Sequence, residues 1–252
     1  MKNIIYVFLF LLAPVMVQAN DVSGKIVADN AYVNGDYKAA IEAYENLLTA
    51  EGEASDVYYN LGNAYYKSEN IAKAILNYER ALLLNPTDKD AAFNLELARS
   101  KTVDKVATVH KFFLMEWLEA IINFMGMQSW CVMGVILFLL TLVTALVYLF
   151  GKNITLRKVS FFTALFALLV SLFANLAAYH QYHYQTNCND AIVMQPSVTA
   201  KSTPGESGTN LFVIHEGRKV TVTDDSMQGW KEIELEDGNI GWVPASAIER
   251  IR

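Results

Sequence analysis

The sequence predicts a multi-domain membrane protein: an all-α helical repeat, a two-helix transmembrane hairpin and an all-β barrel. Three observations carry that expectation. Two runs of about 20 residues lack any charge, one set of residues recurs 34 positions later, and the C-terminal stretch breaks into short β-rich runs separated by turn residues.

The uncharged runs constrain everything else. Of the 252 residues 53% are hydrophobic and 18% charged, with a mean hydropathy of +0.22, whereas soluble chains carry about 25% charge. The excess is concentrated in Cys131–Phe150 and Val159–Tyr179. At about 1.5 Å per residue, about 20 residues cross a hydrocarbon core of about 30 Å. Trp130, Tyr148 and Tyr179 end these runs, where interfacial rings belong. The expected spans are 130–150 and 159–179. The alternative, two buried core helices, would need a large soluble domain around them.

Residues 1–19 begin with Lys2, continue in an apolar run from Ile4 and end in Val17-Gln18-Ala19. A positive start, a short apolar core and small residues before a cut describe a signal peptide cleaved after Ala19. An uncleaved anchor is the alternative, opposed by the shortness of the run and by Pro14. The expected loop 151–158, "GKNITLRK", holds Lys152, Arg157 and Lys158 and no acid. Residues 110–129 hold only Lys111 as a base, and residues 180–200 hold neither Lys nor Arg. Basic flanks face the cytoplasm. The loop is therefore expected inside and both large flanks in the periplasm of a bacterial inner-membrane protein.

Tyr32, Ala40, Ile41, Tyr44, Glu45 and Leu48 recur 34 residues on as Tyr66, Ala74, Ile75, Tyr78, Glu79 and Leu82. Tyr58, Leu61 and Tyr65 share one helical face, Gly62 and Ala74 allow close helix approach, and Pro86 stops the second helix. These positions resemble the tetratricopeptide (TPR) pattern. The resemblance divides 20–103 into repeats of about 21–54 and 55–88 and a further helix at 88–103. That helix is expected to cap the array or to dock another chain.

TPR units bind proteins and peptides along their first helices, so the resemblance implies a groove. Tyr59, Asn63 and Tyr66 form the face opposite the packing set, with Asn60 adjacent and Lys25, Tyr32 and Phe93 as neighbours. These are the expected partner-binding residues; tyrosine as ordinary filler of such helices is the alternative. A grip on a C-terminal carboxylate fits poorly. Lys25 and Asn60 match that set, but Asp29, Asp90 and Asn94 replace the rest.

Within 105–127, Phe113, Trp117 and Ile121 recur at helical spacing between Lys111, Glu116 and Glu119. The expectation is a helix in the outer membrane interface, with packing on the capping helix as the alternative. Residues 189–252 alternate short β-rich runs with turns, Asp237-Gly238 being a hairpin signal. The Gly217–Val222 turn and strand, Gly229-Trp230 and Gly241-Trp242-Val243 resemble a bacterial SH3 domain, which implies an SH3-like barrel. Alternation puts Trp230 on the outer face with Glu232 and Glu234, as a ligand contact or as a lid on the barrel. Trp242, in phase with Ile240, reads as core.

No constellation points to catalysis, and no cofactor is expected. Cys131 lies in the first span and Cys188 just beyond the second; two free thiols are simpler than a disulfide, although both sit near the outer face. His180 and His183 lack further ligands for a metal. A peptidase pairing Cys188 with His215 would draw on a juxtamembrane linker and a strand. Residues 20–101 carry 13 acids against 8 bases and residues 189–252 carry 10 against 6, net −5 and −4, the wrong sign for nucleic acid.

The order of signal peptide, TPR pair, two close spans and SH3 domain, with "AAFNLELARSK" after the repeats, resembles the BatE family of the Bacteroides aerotolerance operon. The resemblance covers nearly the whole chain. It implies a non-enzymatic membrane scaffold for protein–protein interaction in a stress-related complex. Its partners would be other proteins of that operon, including a MoxR-like ATPase and membrane proteins with von Willebrand A domains. Recognition of peptidoglycan peptides by the SH3 domain is the second expectation.

Overall fold

A computed structural model describes residues 22–104 and 112–252. The expected signal peptide and the first part of the expected interfacial helix lie outside the described residues.

Five helices open the fold: α1 (Val22–Val33), α2 (Tyr37–Glu51), α3 (Ser55–Lys67), α4 (Ile71–Leu84) and α5 (Lys89–Arg99). The 34-residue period seen in sequence returns in three dimensions. The turn from α1 to α2 passes through Gly35 at φ +80°, and the turn from α3 to α4 repeats it at Glu69 with φ +65°. Both are closed by the same pair of backbone bonds, Asp36 N to Ala31 O and Asn70 N to Tyr65 O, each 3.0 Å. Asp36 and Asn70 then cap the following helices through Ala39 N and Lys73 N. The second repeat is the more closely packed. A Cβ at Gly62 would lie 2.7 Å from the Tyr78 ring.

Helices α6 (Phe113–Ile122), α7 (Met127–Phe150) and α8 (Ile154–Thr186) follow. The latter two are long and apolar enough to cross a membrane, and only 6% and 28% of their most apolar windows are buried. A soluble core helix would be mostly covered by its own chain, and these two are not. Their contact seam uses small residues: Ser171 Oγ donates to Gly134 O at 2.8 Å, beside Ala174 and Ala178. The connecting turn is only Gly151–Asn153, because Asn153 caps α8 through Thr155 N at 2.9 Å. The expected loop 151–158 is thus mostly helix.

Seven antiparallel strands complete the chain: β1 (Asp190–Val193), β2 (Ser197–Lys201), β3 (Asn210–His215), β4 (Lys219–Asp224), β5 (Trp230–Glu234), β6 (Ile240–Pro244) and β7 (Ile248–Arg250). Their order is β3-β2-β6-β5-β4-β1-β7. A hairpin forms at Asp237-Gly238, but with three loop residues instead of two: Leu235 N donates to Asn239 O at 2.9 Å around 236–238, and Gly238 takes φ +83°. The hydrogen-bonded ladder does not close, since β3 and β7 are its two edges, so a closed barrel is replaced by an open sheet.

The sheet is not a separate body on a tether. Cys188, Ile192 and Ile251 enter the same buried core as Ile75, Tyr78 and Leu95 of the helices. Across this junction Glu79 accepts from Arg99 and, at 3.1 Å, from Lys219, which also meets Asp190 at 3.0 Å. Burial opposes the Lys219 charge, but Glu79, the neighbouring Tyr184 and Asp190 outweigh it, and its pKa is raised. Arg80 donates to the carbonyls of Ile251 (3.0 Å) and Arg250 (2.9 Å). Asp104 accepts from the backbone N–H of His215 at 2.8 Å and meets its Nδ1 at 2.7 Å.

Candidate functional site

The polar floor of the groove is built twice. In the first repeat Tyr44 donates to Asp29 Oδ1 at 2.5 Å and Asn60 Nδ2 approaches the same oxygen at 3.4 Å. In the second, Tyr78 donates to Asn63 Oδ1 at 2.7 Å and Asn94 Nδ2 donates to it at 2.8 Å. All three positions shift by 34 residues. Burial raises the pKa of both phenols, reinforced at Tyr44 by Asp29 and at Tyr78 by neighbouring tyrosines, so both stay protonated donors. The ladder fixes the spacing of α1, α3 and α5 and leaves a cleft beside it.

That cleft encloses about 240 Å³ and is lined by Tyr32, Tyr59, Asn63, Tyr66, Asn94 and Leu97, among others. Tyr32, Tyr59, Asn63 and Tyr66 of the sequence-derived set therefore share one hollow. Tyr32, Tyr59 and Tyr66 are half-buried, so each keeps part of its surface open to solvent. Lys101 stands over the Tyr66 ring at 4.2 Å. The remaining members lie elsewhere. Asn60 is directed to Asp29, Lys25 is paired with Asp56, and Phe93 stands 69% exposed on α5 outside the cleft lining. Asn94 and Leu97 were missed in the sequence. The signal was present, since Asn94 is Asn60 shifted by one period.

The sheet presents the other sequence-derived contact. Trp230 is half-buried on the face opposite Ile233, with Lys201 Nζ 5.9 Å from its ring centroid. Trp242 stands directly opposite Glu232 and Lys201 on neighbouring strands, so it shares that outer face. The core assignment of Trp242 is therefore wrong. The inward phase of β6 is Gly241 and Val243, because Ala200 and Phe212 press so close to Gly241 that a Cβ there would meet them at 3.0 and 3.2 Å.

Both cysteines are free. Burial raises the Cys188 pKa, the reverse of what a nucleophile needs. His215 is engaged by Asp104. Among the described residues no group of three or more His, Cys, Asp or Glu side chains is placed to hold a metal ion.

Stacked helix pairs with a tyrosine-lined cleft between their first helices define a repeat-type interaction module. The sequence model of the tetratricopeptide repeat family matches residues 55–88, the α3–α4 pair with its following turn, so the chain carries a TPR repeat. Such repeats mediate binding to protein partners and are typically non-catalytic. A comparison with curated proteins finds no match.

Proposed function

We propose that the chain is a non-enzymatic scaffold of a bacterial inner membrane, presenting its helical repeats and its SH3-like sheet on the periplasmic side for protein partners. One observation carries this reading. The repeat offers a preformed cleft with three half-buried tyrosines, while the outer surface of α4 is taken by the sheet. Half-buried tyrosine supplies large contact area at small entropic cost, as binding hot spots require. Two apolar, largely uncovered helices support the membrane placement, and the Lys152, Arg157 and Lys158 flank supports the orientation. Trp230 and Lys201 on the sheet form a second contact point of the same scaffold. The BatE-like order of parts fits a role within a stress-related membrane complex.

The test is capture of crosslinked partners from native membranes by the full chain. Tyr59→Ala with Tyr66→Ala should abolish recovery of the partner held by the cleft, and Trp230→Ala should remove a different one. Equal recovery by the unaltered chain and the tyrosine variant, with both equally folded, would discard the cleft as the binding surface.

A further inference from the structure

Helices α7 and α8 meet at the Gly151–Asn153 turn, and beside that turn they leave an open hollow of about 330 Å³. That is within the range of small-molecule sites, about 300–1,000 Å³. Ile154, Arg157, Lys158, Phe161 and Phe162 line it from one face of α8, and Tyr148 lines it from the end of α7. The spacing sorts this wall by depth. At about 1.5 Å per residue, Phe161 lies about 6 Å further along the helix than Arg157, so the bases stand toward the tip and the rings toward the apolar middle.

Both bases are open to a ligand. Arg157 and Lys158 are exposed, and no carboxylate among the described residues pairs with either. Arg157 is nevertheless held in place. Its Nε donates to Tyr148 O at 3.0 Å, and its guanidinium carbon stands 5.3 Å from the centre of the Tyr148 ring. That anchor uses one N–H of five and leaves the terminal nitrogens of a fixed fork. The Tyr148 ring rests in turn against Phe161, with centroids 5.6 Å apart. Lys152 in the turn and the positive end of the α8 dipole add to the same field, and residues 151–158 hold no acid to offset it.

The charge calls for an anion, and the apolar part of the wall indicates its source. Ile154 and Phe162 are 70% and 67% exposed, and the uncovered apolar surface of α7 and α8 continues beyond them. A small soluble anion gains nothing from that surface, whereas acyl chains do. We propose that this hollow binds one anionic phospholipid, its phosphate accepting from Arg157 and Lys158 and its acyl chains lying along Phe161 and Phe162. The inference rests on the membrane placement proposed above. The phosphate of phosphatidylglycerol brings a negative charge with no cation beside it, whereas phosphatidylcholine carries its own counter-charge.

Native mass spectrometry of the full chain in detergent, titrated with matched-chain phosphatidylglycerol and phosphatidylcholine, tests this directly. The expected result is one retained phosphatidylglycerol, preferred by about tenfold, the worth of one charge-assisted hydrogen bond. Lys158→Gln should abolish that preference, whereas Lys152→Gln, the same change just outside the hollow, should keep most of it. Ile154→Trp fills the hollow and keeps every charge, and it should lower retention at unchanged helicity. Equal retention of the two lipids, equal losses from the two lysine variants, or retention undiminished by Ile154→Trp overturns the site. Displacement by soluble glycerophosphoglycerol at the lipid's own concentration overturns the lipid source. Recovery of the chain without detergent and without any lipid overturns the membrane placement as well.

Discussion

Helices α2 and α4 hold the same place in successive repeats, yet they are buried to different degrees. Helix α2 buries Ala40, Tyr44 and Leu47, which face the neighbouring helices only. Helix α4 buries eight residues, among them Leu76, Asn77 and Glu79 on the side that α2 gives to water. Nine of the fourteen positions aligned between 37–50 and 71–84 differ, and on the outer side Glu42 becomes Leu76, Ala43 becomes Asn77 and Asn46 becomes Arg80. The conserved scaffold of the pair, Tyr44 and Tyr78 with their Asx acceptors, is unchanged. A repeat thus keeps the interactions that define its own fold and alters the outer row when a different module must dock there. It follows that the sheet and helix α5 together cover the end of the array.

The contrast is broken most directly at the shared glutamate. Glu79 holds Arg99 and Lys219 at once, whereas its equivalent Glu45 accepts from Tyr65. Glu79→Ala removes the acid that Arg99 and Lys219 share, leaving them Glu96 and Asp190, and should cost about 3 kcal/mol, about 1.5 for each charge-assisted bond lost. Glu45→Ala should cost about 1 kcal/mol, a single hydrogen bond. Denaturant unfolding of the full chain compares them; equal losses would show that the sheet does not stabilise the second repeat. Next in size is Gly62→Ala. Its new methyl would press on the Tyr78 ring at 2.7 Å, an overpacking worth about 1–3 kcal/mol. The first repeat already carries Ala28 at that place, fully buried, so Ala28→Gly should destabilise by about 1 kcal/mol or less. A stabilising Gly62→Ala would mean that the two repeats pack alike there.

The smallest effect is a pH dependence. The Lys219 pKa is raised in the fold, so the stability it contributes is fully present below the ordinary lysine value of about 10.4 and is lost as pH rises through its folded value. Between neutral pH and about 10 the Lys219→Met variant should therefore differ from the unaltered chain by a constant amount. The gap should narrow only in stronger alkali. A gap that closes between pH 7 and 9 would mean that Glu79 and Asp190 do not hold the charge.

The repeat, the two long apolar helices and the β-rich end were legible in the sequence because each is a local or strictly periodic signal. Four residues of the cleft, Tyr32, Tyr59, Asn63 and Tyr66, were grouped by helical spacing and by the groove that the TPR resemblance implies. The junction was not legible. Glu79 and Lys219 lie 140 residues apart, and nothing near either marks the other as its partner. Trp242 was misplaced for a physical reason: the inward position of β6 belongs to Gly241, whose lack of a side chain gives no hydrophobic signal while Ala200 and Phe212 fill its space. Asn60 and Lys25 were read as free to bind because their partners, Asp29 and Asp56, are acids on another helix or 31 positions away.

Helix α8 runs unbroken from Ile154 to Thr186, about 50 Å at 1.5 Å per residue. Its last turn is fastened on both sides: Gln185 donates to Leu84 O at 3.3 Å and Arg252 donates to Gln185 O at 2.8 Å. No joint separates the rod from the body it carries. A few degrees of lean at the Asn153 end therefore swing the tyrosine cleft through several ångströms, and whatever grips the cleft can in turn steer the far tip of the rod.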